Sequence, residues 1–230
     1  VFRIGDRGLW IGSTGTGKTV AMALALDRLY GQRQMVILNS KDDPAFSRWR
    51  GLRVKHLAEL RKAQWPRDSL LIWTPDRAEV RNPAYADAFC SWLWARKHTI
   101  VGIDELRMLA PSAIPLPGFA DLVERSRGPR DLTVAMGTQR PSFIPHSAYT
   151  EASVVYLFRL ASKQDRGAVA AFTHESLAEP VRHRHGFWEY RAGDMHATYW
   201  PDVRDMLDAE EAPIGSAAAA VTVLALSTGG

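Results

Sequence analysis

The sequence predicts an α/β domain in which a mostly parallel central sheet is covered by helices and followed by a C-terminal β-hairpin. Three observations carry this. Short apolar runs of strand type alternate with helix-type segments along most of the chain. A glycine-rich stretch joins the first such strand to the first helix. The chain has 230 residues, 46% of them apolar and 23% charged, which is enough for one sizeable core.

The elements follow in order. "RGLWIG" reads as a strand, and a helix is expected from Lys18 to Tyr30 with Gly31 as its stop. "QMVILNS" is the second strand, 54–63 a helix and "SLLIWTP" a strand. Residues 84–97 carry a helix pattern, "HTIVGID" is a strand, and 117–127 is helical. In "DLTVAMGTQRPSFIP", Leu132, Val134 and Met136 alternate with Thr133 and Ala135, which suits a buried strand. "ASVVYLFRL" is another strand and "KQDRGAVAAF" a short helix. "HGFWEYRAGDMHATYW" reads as a hairpin turning near Gly193 and Asp194. The domain is expected to span 1–207, with 208–230 an Ala- and Gly-rich tail.

Composition limits the setting. The net charge of +4 permits an anionic partner without requiring one. Cys90 is the only cysteine, so no internal disulfide can form, and a reducing, cytoplasmic setting is expected. No signal peptide is visible, and the longest small-apolar run, at 217–226, is about half the length that spans a bilayer.

The most specific signal is "GSTGTGKT", residues Gly12, Ser13, Thr14, Gly15, Thr16, Gly17, Lys18 and Thr19. It fits the Walker A pattern G-x-x-x-x-G-K-[ST] in the required setting, after a strand and opening a helix. Glycines let the backbone curl so that its N–H groups face phosphate oxygens, and the helix N-terminus adds partial positive charge. Lys18 is expected to reach the β- and γ-phosphates of ATP, and the Thr19 hydroxyl to ligate Mg²⁺. In "TIVGIDEL", a buried strand ends in Asp104 and Glu105. Alone, such a pair is often only a solvated helix start. With a P-loop upstream it reads as the Walker B acid, Asp104 holding Mg²⁺ and Glu105 polarising the attacking water as general base.

A RecA-like P-loop core inserts one strand between the P-loop strand and the acid strand. Gln139, at the tip of the strand that ends in Gly137-Thr138, is expected to be its sensor of the γ-phosphate; the alternative is a cap on the turn before Pro141. Two basic clusters, "RWRGLRVKH" with Arg48, Arg50, Arg53, Lys55 and Trp49, and "RHRH" at 182–185, suit non-specific phosphate binding, a solvated face or a subunit contact. Trp73 and Trp188 read as core, and Trp92 and Trp94 cannot share one helix face, which points one of them toward a partner subunit. His98 and His183 lack metal-ligand spacing and read as surface residues.

Taken together, "GSTGTGKT", "IVGIDE" and "GTQRPSFIP" resemble the HerA–FtsK superfamily of DNA-pumping ATPases, with "YLFRLASKQD" similar to its next strand and turn. "VILNSKDD" resembles the family's second-strand motif except that Asn39 stands where an acid is usual, which leaves the role of Lys41 open. The resemblance covers roughly residues 8–200. With little sequence before the P-loop, the chain looks most like the genome-packaging ATPases of tailless, membrane-containing icosahedral viruses. The resemblance implies an ATP- and Mg²⁺-dependent double-stranded DNA translocase, working as a homo-oligomeric ring, a hexamer by family, in the host cytoplasm or at a virion vertex. A capsid or membrane-associated vertex protein would be a further partner. It also implies that a neighbouring subunit supplies an arginine: Arg127 before Gly128-Pro129 first, then Arg130 and Arg159, with Arg125 nearby and Arg140 less suited beside Pro141. Those arginines otherwise only solubilise a helix end. Two other readings stand: a small P-loop kinase, and a conjugation or filamentous-phage assembly ATPase acting as a nucleotide-gated assembly protein.

Overall fold

A computed structural model describes residues 2–110, 114–126, 128 and 130–208. The P-loop strand β1 (Arg7–Ile11) leads into helix α1 (Lys18–Asp27). Then come β2 (Gln34–Leu38), α2 (Pro44–Ser47), β3 (Leu52–Val54), α3 (Leu57–Lys62), β4 (Leu70–Trp73), α4 (Arg77–Arg81) and α5 (Pro83–Trp94). The second half contains β5 (Thr99–Ile103), α6 (Pro117–Glu124), β6 (Thr133–Thr138), α7 (Ser147–Thr150), β7 (Val154–Phe158), α8 (Lys163–Ala171), β8 (Phe187–Arg191), β9 (Thr198–Trp200) and α9 (Val203–Asp208).

The strands form one sheet in the order β3-β4-β2-β5-β6-β1-β7-β8-β9. Every pairing from β3 to β7 is parallel, and the hairpin β8–β9 closes the far edge antiparallel. Strand periodicity sorts side chains to two cores. Leu9, Ile11, Val36 and Leu38 face the side covered by α5 and α6, whose Phe89, Leu93, Phe119 and Leu122 they meet. Trp10, Met35 and Ile37 face the other side, with Met22 and Leu26 of α1 and with Phe187 of the hairpin. Burial on both faces is what a parallel sheet requires.

Local signals fix several boundaries. Asn82 Oδ1 accepts from Ala84 N at 3.0 Å, capping α5 with Pro83 in its first turn. The Ser162 hydroxyl accepts from Asp165 N at 3.1 Å to cap α8. After α1 the chain passes through a turn to Gly31, whose φ of 80° only glycine adopts readily. The expected helix over 54–63 begins later: 52–54 form the edge strand β3, and α3 starts at Leu57, where the Glu59 carboxylate accepts from the Lys55 and His56 amides. Gly193, with φ 94°, turns the hairpin where expected. Among the described residues no helix is long and apolar enough to cross a membrane. The tail from 209 onward lies outside the described residues.

Candidate active site

The strand order decides which residues meet at the C-terminal end of the sheet. β6 lies between β1, which carries the P-loop, and β5, which carries the acids. The P-loop hangs from the tips of its two neighbours: Gly12 N donates to Thr138 O at 3.1 Å and Ser13 N to Arg159 O at 3.1 Å. Gly12 has no room for a side chain, since a Cβ there would stand 2.6 Å from Phe158 Cβ. Gly17, with φ 93°, caps α1 without a side-chain hydrogen bond, so the first-turn amides are left to a ligand or to water. The Thr16 hydroxyl donates to Ser13 O at 2.8 Å and tightens the curl.

Lys18 is almost completely buried at 4% exposure. Burial lowers its pKa, and the Glu105 carboxylate partly restores it. Its Nζ stands 3.3 Å from where a Cβ on Gly137 would lie, and that Cβ would also stand 2.6 Å from Asp104 O. Gly137 therefore lets β6 approach both the lysine and the acid strand.

Asp104 is buried, with its carboxylate oriented by the end of β2. Ser40 Oγ donates to Oδ1 at 2.7 Å and Lys41 N to Oδ2 at 3.1 Å. Burial raises its pKa, and these two donors oppose the shift. Glu105 is held from two sides: Lys41 Nζ reaches Oε2 at 2.6 Å, and Thr138 Oγ1 donates to Oε1 at 3.3 Å. Gln139 Oε1 accepts from Thr14 Oγ1 at 3.0 Å, so the tip of β6 is bonded to the P-loop itself.

The structure thus brings Lys18, Asp104, Glu105 and Gln139 to one end of the sheet, with Thr19 half-buried in the first turn of α1. Thr19 and Asp104 offer one hydroxyl and one carboxylate. That donor set fits Mg²⁺, which takes the rest of its octahedral shell from phosphates and water. A buried amine and a buried carboxylate, each penalised in its charged form, suit a site whose countercharges arrive with a phosphate chain and its cation.

Sequence reasoning misses Ser40 and Thr138 and leaves Lys41 open. Asn39, in the place of the usual acid, is wholly buried and pins the following loop: its side chain accepts from Asp43 N at 2.8 Å and donates to Ser47 Oγ at 3.1 Å.

Of the arginine candidates, Arg127 lies outside the described residues. Arg125 pairs with Asp121 at 2.8 Å, and Arg130 donates to Ala95 O at 3.4 Å; their guanidinium groups stand 5.2 and 5.1 Å from the Trp94 ring. Both precede β6 and so stand at the opposite end of the sheet from their own P-loop. The Arg159 backbone, by contrast, is bonded into its own P-loop, which sets it against the requirement that a donated arginine come from outside that pocket. Arg140 is exposed. Trp94 carries the Arg125–Arg130 pair, while Trp92 packs on Arg96 at 3.9 Å. Trp73 is core as expected, and Trp188 is half-buried against the same core. His98 and His183 are exposed.

At the far edge of the sheet, Arg48, Arg50, Arg53 and Lys55 are exposed in and beside β3. Trp49, expected among them, is instead core at 1% exposure, stacked edge-on against Phe46 and Tyr30, and so is closed to any base.

No protein-family model matches the chain, and no curated protein matches it by sequence. Among solved structures it is similar to the genome-packaging NTPase B204 from Sulfolobus turreted icosahedral virus 2 in complex with AMPPCP. The TM-score is 0.67 at 14% identity, over 87% of this chain and all of that one. The DNA-packaging ATPase B204 from Sulfolobus turreted icosahedral virus gives 0.67 at 13% identity, over 86% of this chain and 98% of that one. The conjugation coupling protein TcpA of pCW3, with ATPγS, gives 0.52 at 18%, over 89% of this chain and 65% of that one. At these identities the likeness establishes the fold alone: a mostly parallel α/β sheet with the P-loop at the tip of a central strand.

Proposed function

We propose that the chain is an ATPase that drives double-stranded DNA, working in a homo-oligomeric ring of the kind that packages viral genomes. The observation that carries this reading is the insertion of β6 between the P-loop strand and the acid strand, with Gln139 bonded to Thr14 and Lys18 beside Gly137. The P-loop amides and Lys18 receive the phosphates. Mg²⁺ on Thr19 and Asp104 would neutralise charge on the β- and γ-phosphates. Glu105 takes the proton of the attacking water. Gln139, touching both the P-loop and the turn at Arg140-Pro141, passes the loss of the γ-phosphate to that turn. A paired Asp104-Glu105 with Gln139 suits water as acceptor better than the hydroxyl of a kinase substrate. Likeness to two packaging ATPases over nearly their whole length supports the packaging role.

The deciding experiment is ATPase turnover of the full chain with and without duplex DNA of arbitrary sequence, with Lys18→Ala as control. We expect many-fold stimulation by DNA and loss of most turnover in Lys18→Ala. Turnover near wild type in Lys18→Ala would refute the site. Turnover that depends on Lys18 and ignores DNA would refute the translocase and favour a nucleotide-gated assembly protein.

A further inference from the structure

The P-loop, the acids and Gln139 account for one end of a nucleotide. The acids and Gln139 all lie on the β6–β5 side of the P-loop, so the γ-phosphate faces that way. A triphosphate lying across the loop must direct its α-phosphate and nucleoside to the other side, over β7 and β8. On that side stands the second basic cluster, Arg182, His183, Arg184 and His185, which has no part in the chemistry at the first end.

This segment is a built corner. The Tyr199 hydroxyl in β9 accepts from Arg182 N at 3.2 Å and His183 N at 3.1 Å, and meets His183 Nδ1 at 3.0 Å. Gly186 packs under it: a Cβ there would stand 2.6 Å from the same hydroxyl. The result sets His185 on the shoulder of the P-loop. Its Nδ1 lies 3.5 Å from where a Cβ on Gly17 would stand, and Val203 Cγ2 at the start of α9 lies at 3.7 Å. Asp202 also borders the corner, but its carboxylate is paired with Arg204 at 2.8 Å. An imidazole beside a phosphate-loop glycine, with an apolar wall next to it, has the chemistry to hold a ribose hydroxyl just beyond the phosphate chain.

We infer that His185 binds the ribose of a nucleoside triphosphate, so that this corner distinguishes a nucleotide from a bare phosphate chain. The inference rests on the nucleotide-site reading of the P-loop. The test is calorimetric titration of the full chain with two probes, ADP and inorganic tripolyphosphate, in wild type, His185→Ala and Lys18→Ala. His185 is exposed, and circular dichroism checks that the variant is folded. We expect His185→Ala to weaken ADP about five- to tenfold, the worth of one hydrogen bond to a sugar hydroxyl, while tripolyphosphate changes less than about twofold. Lys18→Ala should weaken both. Equal loss of both probes in His185→Ala, or no loss of ADP, would overturn the inference while leaving the nucleotide site standing. No binding of either probe by the wild type would overturn the nucleotide reading itself.

Discussion

Glu105 sits between two donors that come from elsewhere in the chain, Lys41 Nζ and Thr138 Oγ1. Glutamine at 105 keeps the length and shape of the side chain while removing its basicity. In Glu105→Gln we expect ATP to bind within a few-fold of wild type and turnover to fall by about 10²–10⁴, the usual worth of a general base. Nucleotide titration beside a single-turnover assay separates the two. If binding disappears along with turnover, the residue serves the fold through Lys41 and not the chemistry. The same side chains mark what a sequence can disclose. Lys18, Asp104 and Glu105 are legible because each belongs to a local pattern, Lys18 to a glycine loop of fixed spacing and the two acids to the end of an apolar strand. Ser40, Lys41 and Thr138 are not, because their partners lie 63, 64 or 33 positions away, and only the neighbouring of β2, β5 and β6 brings them together. Gly137 carries no local signal either. Its reason is spatial, the approach of Asp104 O and Lys18 Nζ.

At the scale of elements, the strongly patterned segments are legible and the short ones are not. α2, α4, α7 and α9 have four to six residues, too few for a helical period to declare itself. β3 has three residues and buries only Val54, so its alternation is invisible and its C-terminal end merges with the expected helix. Its charged flanks have two candidate reasons. Charges on an edge strand prevent pairing with another chain, and exposed arginines and lysines on one edge bind phosphates. The second predicts a measurable slope. Replacing Arg48, Arg50 and Lys55 with alanine should flatten the plot of log affinity for duplex DNA against log salt by about 0.9 for each phosphate that is no longer neutralised. Arg53 is left in place because it donates to Trp49 O at 2.8 Å and has a structural task. An unchanged slope would assign these charges to edge protection and leave any DNA surface to be sought elsewhere on the molecule.

At the scale of the whole molecule, a parallel sheet has two unlike ends, and the candidate chemistry divides between them. The C-terminal ends of β1, β5 and β6 hold the P-loop, the acids and Gln139. The loop that enters β6 at the other end holds Arg130, with Arg125 at the close of α6; Arg127 lies between them in sequence, outside the described residues. Arg125 and Arg130 therefore cannot serve their own P-loop, and a ring of subunits is the arrangement that would let such a residue meet a neighbour's nucleotide. An arginine supplied in this way is worth about 10³–10⁵ in rate, an effect large enough to read by mixing. Arg127→Ala subunits should be nearly inactive alone, as should Lys18→Ala subunits. Mixed rings should regain part of the wild-type turnover, because an intact P-loop from one variant then faces an intact arginine from the other. The recovered rate should follow the fraction of such junctions as the mixing ratio is varied, with assembly of mixed rings checked by co-purification of differently tagged subunits. Mixed rings that assemble and stay inactive would exclude Arg127. The same experiment on Arg130→Ala then decides whether the arginine stacked on Trp94 leaves that ring to reach across the interface, or whether no arginine from this loop takes part.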